Sequence, residues 1–338
     1  MRRTFELASL GLGRVSPNPL VGCVIVANEV IIGEGWHRKF GEEHAEVNAI
    51  TSVTDHSLLR HATAYVNLEP CSHHGKTPPC ADKLIEVGIK RVVISNKDTN
   101  PLVGGKGIEK LRSAGIKVDV GILEEEGKAL NRRFFTWIRK ESPFVILKWA
   151  ESSDGFLGTS NGPTLISNEY SRQRVHQWRS EEDAVLVGTR TVEIDNPQLN
   201  VRDWSGRNPV RVYIDRSLRL SGKLNLLDGS QPTLCYNLMK DEQTSMMTSV
   251  KLPDEQFLNH LLRDLAKRGI GSVIVEGGAQ TLEWFIASGC WHEARIFKTG
   301  TMLHSGVAAP RLQGMPVQED SLSGDRLTWL SNPAAIRI

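Results

Sequence analysis

Residues 62–88 read ATAYVNLEPCSHHGKTPPCADKLIEVG. ATAYVNL, residues 62–68, has the β-branched and aromatic content of a strand. EPCSHHGKTPPC, residues 69–80, holds two cysteines, two histidines, a lysine and three prolines in twelve positions. Three prolines rule out a regular helix there, and the segment is too polar for a core. From Pro79 onward PCADKLIEVG reads as a helix, with proline at its start and Gly88 as its stop. Strand, loop and helix in that order are the repeating unit of an α/β sheet. The loop itself could be a disulfide loop, a closed zinc knuckle or part of an active site.

The pattern extends in both directions. Residues 3–12 have helical spacing and end at Gly11 and Gly13, and SPNP is a loop. VGCVIVA and VIIGEGW predict two strands joined by a tight turn around Asn28. HAEVNAITSV predicts a helix, with Ala45, Val47, Ala49 and Ile50 at helical spacing. Beyond the opening stretch come a strand at RVVIS, a helix at GIEKLRSAG, a strand at IKVDVGI and a final helix over 123–140. The expected domain, residues 1–143, is a three-layer α/β/α sandwich on a largely parallel sheet. KESPF, 140–144, marks the boundary. Residues 144–338 form a second α/β domain with strands FVILKWA, AVLVG, VRVYID, PTLCY and SVIVEGG. Helices are expected at 168–180 and 255–268, with loops and short strands over 217–250.

A chain of 338 residues suits two domains. The formal charge of +2 argues against a surface built to coat nucleic acid, and the apolar runs are too short for a membrane span. MRRTFELASLGLG is interrupted by Glu6 and reads as an amphipathic helix rather than an export signal. The five cysteines are an odd number in a chain long enough to fold without staples. They point to a reducing, cytoplasmic setting and away from a disulfide framework.

The chemistry comes from joining two places. His44 and Glu46 open one expected helix, and Cys71 and Cys80 flank the loop. One imidazole and two thiolates make a three-ligand zinc site whose fourth position stays open for water, as in catalytic sites. Glu46, not itself a ligand, is placed to carry the proton from water to a leaving amine. His-x-Glu followed by Pro-Cys is the pattern of zinc deaminases. In the competing reading His73 or His74 closes a structural knuckle. The joint pattern favours the catalytic one. In the second domain, SVIVEGGAQTL is a strand, then Gly277 and Gly278, then a helix. Such a turn suits a phosphate, or is only a tight connection; the residues alone leave both open.

HAE together with EPCSHHGKTPPC, and SPNPLVGCVIV before them, resembles the RibD family of bifunctional riboflavin-biosynthesis deaminase/reductases. The long Cys-x8-Cys spacer is that family's feature. LKWAESSDG, VHQWRSEEDAVLVGTRTVEIDNPQLNVR and VEGGAQTL resemble its reductase half. The resemblance implies a cytidine-deaminase-like domain followed by a dihydrofolate-reductase-like domain. It implies His44, Cys71 and Cys80 on Zn2+, Glu46 as proton shuttle, and Asn18, His73, His74 and Lys76 on the deaminase substrate. It places Ala150, Leu165, Thr191, Asp195 and Gly278, Ala279, Gln280, Thr281 and Leu282 on NADPH. Lys148, Arg179, Leu199, Arg202 and Glu276 would hold a phosphoribosyl pyrimidine substrate. The chain departs from the pattern at Leu165, where relatives often carry tryptophan. It also departs at Pro163 and Arg216, where small hydroxyl residues are common. The expected enzyme deaminates a diaminopyrimidinone at C2 and reduces the ribosyl group to ribityl, as a homo-oligomer without nucleic-acid or membrane partners. The alternatives are an active deaminase with a degenerate reductase, a nucleoside or RNA-base deaminase with a binding domain, and a zinc-stabilised binding protein.

Overall fold

The structure is a computed structural model, and it describes residues 1–73, 78–100, 104–159 and 162–335. The chain divides into two compact units, Met1–Lys140 and Glu141–Ile338.

In the first unit the elements run α1 (Arg2–Ser9), β1 (Gly22–Ala27), β2 (Val30–Trp36), α2 (Ala45–Thr51), β3 (Thr63–Leu68), α3 (Cys80–Glu86), β4 (Arg91–Asn96), α4 (Lys106–Ser113), β5 (Lys117–Val120), α5 (Glu124–Leu130) and α6 (Arg132–Lys140). The sheet order is β2-β1-β3-β4-β5. The sheet is less parallel than the alternating pattern suggests. β1 pairs antiparallel with both β2 and β3, while β3-β4 and β4-β5 are parallel. The cause is the two-residue hairpin: Ala27 pairs with Val30, and Asn28 and Glu29 both take left-handed backbone angles. Such a loop reverses the chain without a helix. The single helix expected over 123–140 is two helices, parted at Asn131. That residue is buried because its amide brackets Leu20, accepting from the Leu20 N–H at 2.8 Å and donating to its carbonyl at 2.9 Å.

β2 lies almost against α2. A Cβ on Gly35 would stand 2.3 Å from the Ala49 nitrogen and 2.6 Å from the Ala45 oxygen. Only glycine allows this approach. It presses the start of α2, and with it His44 and Glu46, onto the sheet edge where the loop after β3 arrives. Ala45, Ala49 and Ile50 fill the core beneath, against Cys23, Ile25, Ala64 and Val66.

The second unit contains β6 (Phe144–Glu151), β7 (Phe156–Gly158), α7 (Glu169–Glu181), β8 (Ala184–Gly188), α8 (Thr189–Asp195), β9 (Val210–Ile214), β10 (Thr233–Asn237), β11 (Glu242–Gln243), β12 (Met247–Lys251), α9 (Phe257–Lys267), β13 (Ser272–Gly277), α10 (Ala279–Ala287), β14 (Glu293–Lys298), β15 (Val307–Ala308), β16 (Met315–Leu322) and β17 (Asp325–Ser331). Ten strands form one sheet in the order β11-β12-β10-β9-β8-β13-β6-β14-β17-β16. Its centre from β12 to β14 is parallel, and both ends are antiparallel. The central strands are buried on both faces, which explains their unbroken Val/Ile/Leu runs. One face packs on α9 through Leu258, Leu261, Leu262 and Leu265. Truncating Leu261 to alanine there should cost about 2–5 kcal/mol. Residues 315–331 form the β16-β17 hairpin. Among the described residues no helix is long and apolar enough to cross a membrane.

Candidate functional site: a three-ligand metal centre and a nucleotide-sized cavity

His44 caps α2, Cys71 follows β3, and Cys80 is the first residue of α3. The ligand atoms of these three residues all lie within 4.8 Å of one another. His44 Nδ1 stands 3.6 Å from Cys71 Sγ and 3.3 Å from Cys80 Sγ. Tetrahedral zinc at its usual bond lengths sets N···S separations of about 3.6 Å, so the donor set fits zinc in both chemistry and spacing. The Cys80 amide donates to Cys71 Sγ at 3.3 Å. The Cys80 thiol, the His44 imidazole and that amide hold the Cys71 thiol at about 4, against the effect of burial. The neighbouring Cys71 sulfur and burial push Cys80 the other way, so without metal the pair keeps one proton. Metal binding must displace it.

Glu46 is 3% exposed, and burial together with the Cys71 charge raises its carboxyl above the usual range. Its side chain hydrogen-bonds that of Cys80. A buried acid with a raised pKa, beside a metal triad but outside it, is suited to take up and return a proton. Asn18 belongs to the same region through His37. Asn18 Nδ2 lies 3.1 Å from His37 Nε2, and His37 Nδ1 lies 3.1 Å from the Glu43 carbonyl. The Asn18 amide nitrogen can only donate, so Nε2 accepts and Nδ1–H donates to the carbonyl. Burial lowers the His37 pKa, which keeps that neutral tautomer. The His37 ring meets the His44 ring edge-on at 5.3 Å.

Two residues here gave no sequence signal. His37 is a lone histidine after a strand. Glu69 sits inside the quoted motif, yet its task appears only in three dimensions. Its carboxylate, 5% exposed, accepts from the amides of Asp98, Gly105, Gly107 and Ile108 at 2.9–3.2 Å. It thereby ties the loop that carries Cys71 to the start of α4. His73 is exposed. His74 and Lys76 lie outside the described residues.

The second unit holds two adjoining arrangements. A cavity of about 1170 Å³ opens at the carboxyl ends of β8, β9 and β13, where open α/β sheets bind ligands. Thr191, Asp195, Gly278, Ala279, Gln280 and Thr281 line it. A Cβ on Gly188 would lie 2.2 Å from Thr281 Oγ1, so β8 must end in glycine for the two loops to meet. Gly278 caps the N-terminus of α10. Exposed helix amides beside a cavity of dinucleotide size fit NADPH. Three expected contacts are not brought into this lining. Leu282 is fully buried in the core on the inner face of α10, Ala150 packs against the core cluster on the other face of the sheet, and Leu165 is 71% exposed.

Beside the cavity lies a buried ion cluster. Val275 pairs with Leu147 in adjacent parallel strands, so Glu276 and Lys148, one residue further on, share a face. Arg179 reaches in from α7 and grips Glu276 with two hydrogen bonds, Nε to Oε1 at 2.6 Å and Nη2 to Oε2 at 2.8 Å. Lys148 Nζ is 3.9 Å from Glu276 Oε2. Although burial pushes Glu276 upward, the two cations hold it down at about 2. Burial lowers Lys148 despite Glu276. Arg179 also donates to the Asn200 carbonyl at 3.2 Å. Its guanidinium is thus largely committed to positioning Glu276 and the 199–202 loop, rather than free for a phosphate. Leu199 is buried with a left-handed φ of 51°. Arg202 is exposed, with its amide donating to His176 Nδ1 at 3.3 Å. His176, a turn before Arg179 on α7, also pairs through Nε2 with Asp203 at 3.2 Å. It is another positioning residue that sequence reasoning passed over.

Residues 1–96 match the family model of the cytidine and deoxycytidylate deaminase zinc-binding region, and residues 143–319 match that of the RibD C-terminal domain. The chain is 38% identical over 350 residues to the riboflavin biosynthesis protein RibD of Actinobacillus pleuropneumoniae, covering 100% of this chain and 90% of that one. It is 42% identical over 323 residues to RibD of Bacillus amyloliquefaciens, covering 92% and 86%. A diaminohydroxyphosphoribosylaminopyrimidine deaminase/5-amino-6-(5-phosphoribosylamino)uracil reductase from Thermotoga maritima superposes with a TM-score of 0.90 at 39% identity, over 98% of this chain and 97% of that one.

Proposed function

The chain belongs to the RibD family, and from that premise we propose which residues of its two units carry the family's two reactions. It is a bifunctional enzyme of riboflavin biosynthesis, a zinc-dependent deaminase joined to an NADPH-dependent reductase. The first unit hydrolyses the C2 amino group of 2,5-diamino-6-(5-phosphoribosylamino)pyrimidin-4(3H)-one. The second reduces the ribosyl group of the resulting uracil to ribityl.

His44, Cys71 and Cys80 hold the zinc, which when bound supplies activated water at neutral pH. Glu46 accepts a proton from water and returns it to the departing amine, so that ammonia leaves as a neutral group. Asn18, kept in one orientation by His37, contacts the pyrimidine edge. His73, His74 and Lys76 contact the deaminase substrate, as in the family.

In the second unit Thr191, Asp195 and the Gly278–Thr281 turn hold the cofactor, whose nicotinamide supplies the hydride. Lys148, Arg202 and Glu276 meet the phosphoribosyl group, and Arg179 and His176 keep them in place. Lys148 and Arg202 supply positive charge for the substrate phosphate. The enzyme works in the cytoplasm as a homo-oligomer on this small molecule, a proposal that rests on family membership and on the odd cysteine count.

The observation that carries the deaminase assignment is the buried Glu46 beside a triad with zinc spacing. Glu46→Gln should retain one zinc per chain and lose ammonia release by about 10²–10⁴-fold. Zinc retained with turnover unchanged would remove Glu46 from the mechanism.

A further inference from the structure

One loop of the second unit carries a strained residue, and beneath it stands a buried arginine that the two reactions above leave without a task. Leu199 is 2% exposed and holds a left-handed φ of 51° although it is not glycine. Such a conformation is costly and persists only where the surroundings dictate it. Two guanidiniums do so here. Arg211 Nε donates to the Gln198 carbonyl at 2.8 Å, and Arg179 Nη1 donates to the Asn200 carbonyl at 3.2 Å. The carbonyls flanking Leu199 are therefore both pinned. Arg211 is itself 2% exposed. In the register of the sheet Arg211, Val185, Ile274 and Ile146 form one row across β9, β8, β13 and β6. Glu276 and Lys148 stand two residues further along the last two of these strands, so they share a face with Arg211. Arg211 Nη1 donates to the Asn225 carbonyl at 3.0 Å and to Asp228 Oδ1 at 2.7 Å. Asp228 also accepts from the Ser230 amide at 2.9 Å and the Ser230 hydroxyl at 2.7 Å. A carboxylate near the surface thus balances the buried charge, and Nε is left for the loop.

The shape of this loop decides where Arg202 stands. The Arg202 guanidinium donates to Asn200 Oδ1 at 3.2 Å, and its amide donates to His176 Nδ1 at 3.3 Å. The Val201 amide donates to Asn208 Oδ1 at 2.8 Å. Every anchor after Leu199 therefore depends on the direction the chain takes at that residue. If Leu199 relaxed to an ordinary φ, Asn200 and Arg202 would swing away from α7 together. We propose that Arg211 is a positioning residue of the reductase. Through the Gln198 carbonyl it holds the left-handed turn at Leu199, and so aims Arg202 at the substrate phosphate. It thereby governs affinity for the phosphoribosyl substrate and not the hydride step. The proposal rests on the reading that Arg202 meets the phosphoribosyl group. Lysine cannot replace this arginine, because one ammonium lacks the rigid fork that reaches the Gln198 and Asn225 carbonyls and Asp228 at once.

The test is NADPH oxidation by the full-length zinc protein on the deaminated phosphoribosyl uracil at saturating NADPH, with ribose 5-phosphate as a competing inhibitor. Arg211→Lys should raise KM and the ribose 5-phosphate inhibition constant together by about 10-fold, with kcat within about twofold of wild type. A merely structural arginine would lower the folded fraction, and with it kcat, without moving KM. A fall in kcat at unchanged KM, or no change in either, would overturn the proposal. Asp228→Asn changes an exposed carboxylate and keeps the arginine, so it decides the matter should Arg211→Lys fail to fold. It loosens the guanidinium and should raise KM about 2–5-fold at unchanged kcat, and an unmoved KM would overturn the proposal as well. Arg202→Ser tests the underlying reading. It should raise KM and the inhibition constant at least as far as Arg211→Lys does. If it moves neither, the phosphate lies elsewhere and the reading fails with the proposal. Weaker binding in Arg202→Ser beside unchanged binding in Arg211→Lys would sink the proposal alone.

Discussion

The two units bury charge in opposite ways. Around His44, Cys71, Cys80 and Glu46 the first unit gathers four acid–base groups that, among the described residues, no lysine or arginine is seen to shift. Around Glu276 the second unit gathers one carboxylate and two cations: Arg179 grips the carboxylate with two hydrogen bonds, and Lys148 stands 3.9 Å away as a second positive charge. The first cluster calls for a metal; the second supplies Glu276 with its own counter-ions and leaves one positive charge over for the substrate. Buried charge therefore marks chemistry only where the structure leaves it uncompensated.

This contrast can be broken at either end. The largest effect belongs to the first cluster. Cys71→Ser should lose the bound zinc and all measurable deamination, while a chelator should lower the melting temperature of the wild type and leave that of the variant unmoved. Full zinc occupancy in Cys71→Ser, measured by metal analysis, would contradict the ligand set. A smaller effect is expected in the second cluster. Glu276→Gln strands two buried cations and should destabilise the chain by about 3–5 kcal/mol in urea unfolding, with zinc content unchanged. A neutral outcome would mean that the two cations do not depend on Glu276.

The smallest effect sharpens the same point through pH. The folded Glu276 carboxyl titrates at about 2, below its ordinary value of 4.5. A depressed acid contributes stability that is fully present above the ordinary value and is lost as pH falls toward the folded one. Wild type should therefore lose stability between about pH 4.5 and 2 more steeply than Glu276→Gln, which lacks this group. Parallel curves would show that Glu276 is not held down.

The two clusters also differed in how far they could be read from sequence. His44-x-Glu46 and the Cys71-x8-Cys80 loop were legible because metal chemistry demands particular residue types at short spacing, and the structure places their ligand atoms together. Strand and helix order followed from periodicity. The antiparallel turn at Asn28-Glu29 and the break at Asn131 did not, because each depends on local backbone angles or on one buried amide. Glu69, His37 and His176 were missed for one shared reason. Their partners are met only in the fold and leave no motif: backbone amides for Glu69, the Asn18 side chain and the Glu43 carbonyl for His37, and the Arg202 amide and Asp203 for His176. The cavity in the second unit is built from loop ends on three strands. Resemblance therefore marked its neighbourhood but could not separate Thr191 and Thr281, which line it, from Leu282 and Ala150, which do not.

The central claim is that one chain carries out both reactions in sequence. Ammonia release and NADPH oxidation should be followed together on 2,5-diamino-6-(5-phosphoribosylamino)pyrimidin-4(3H)-one. Wild type should produce the two in equal amounts, with ammonia leading. Glu46→Gln should produce neither from this substrate, yet oxidise NADPH normally when given the deaminated uracil. Ammonia without NADPH oxidation in the wild type, or NADPH oxidation by Glu46→Gln on the diamino substrate, would contradict the account.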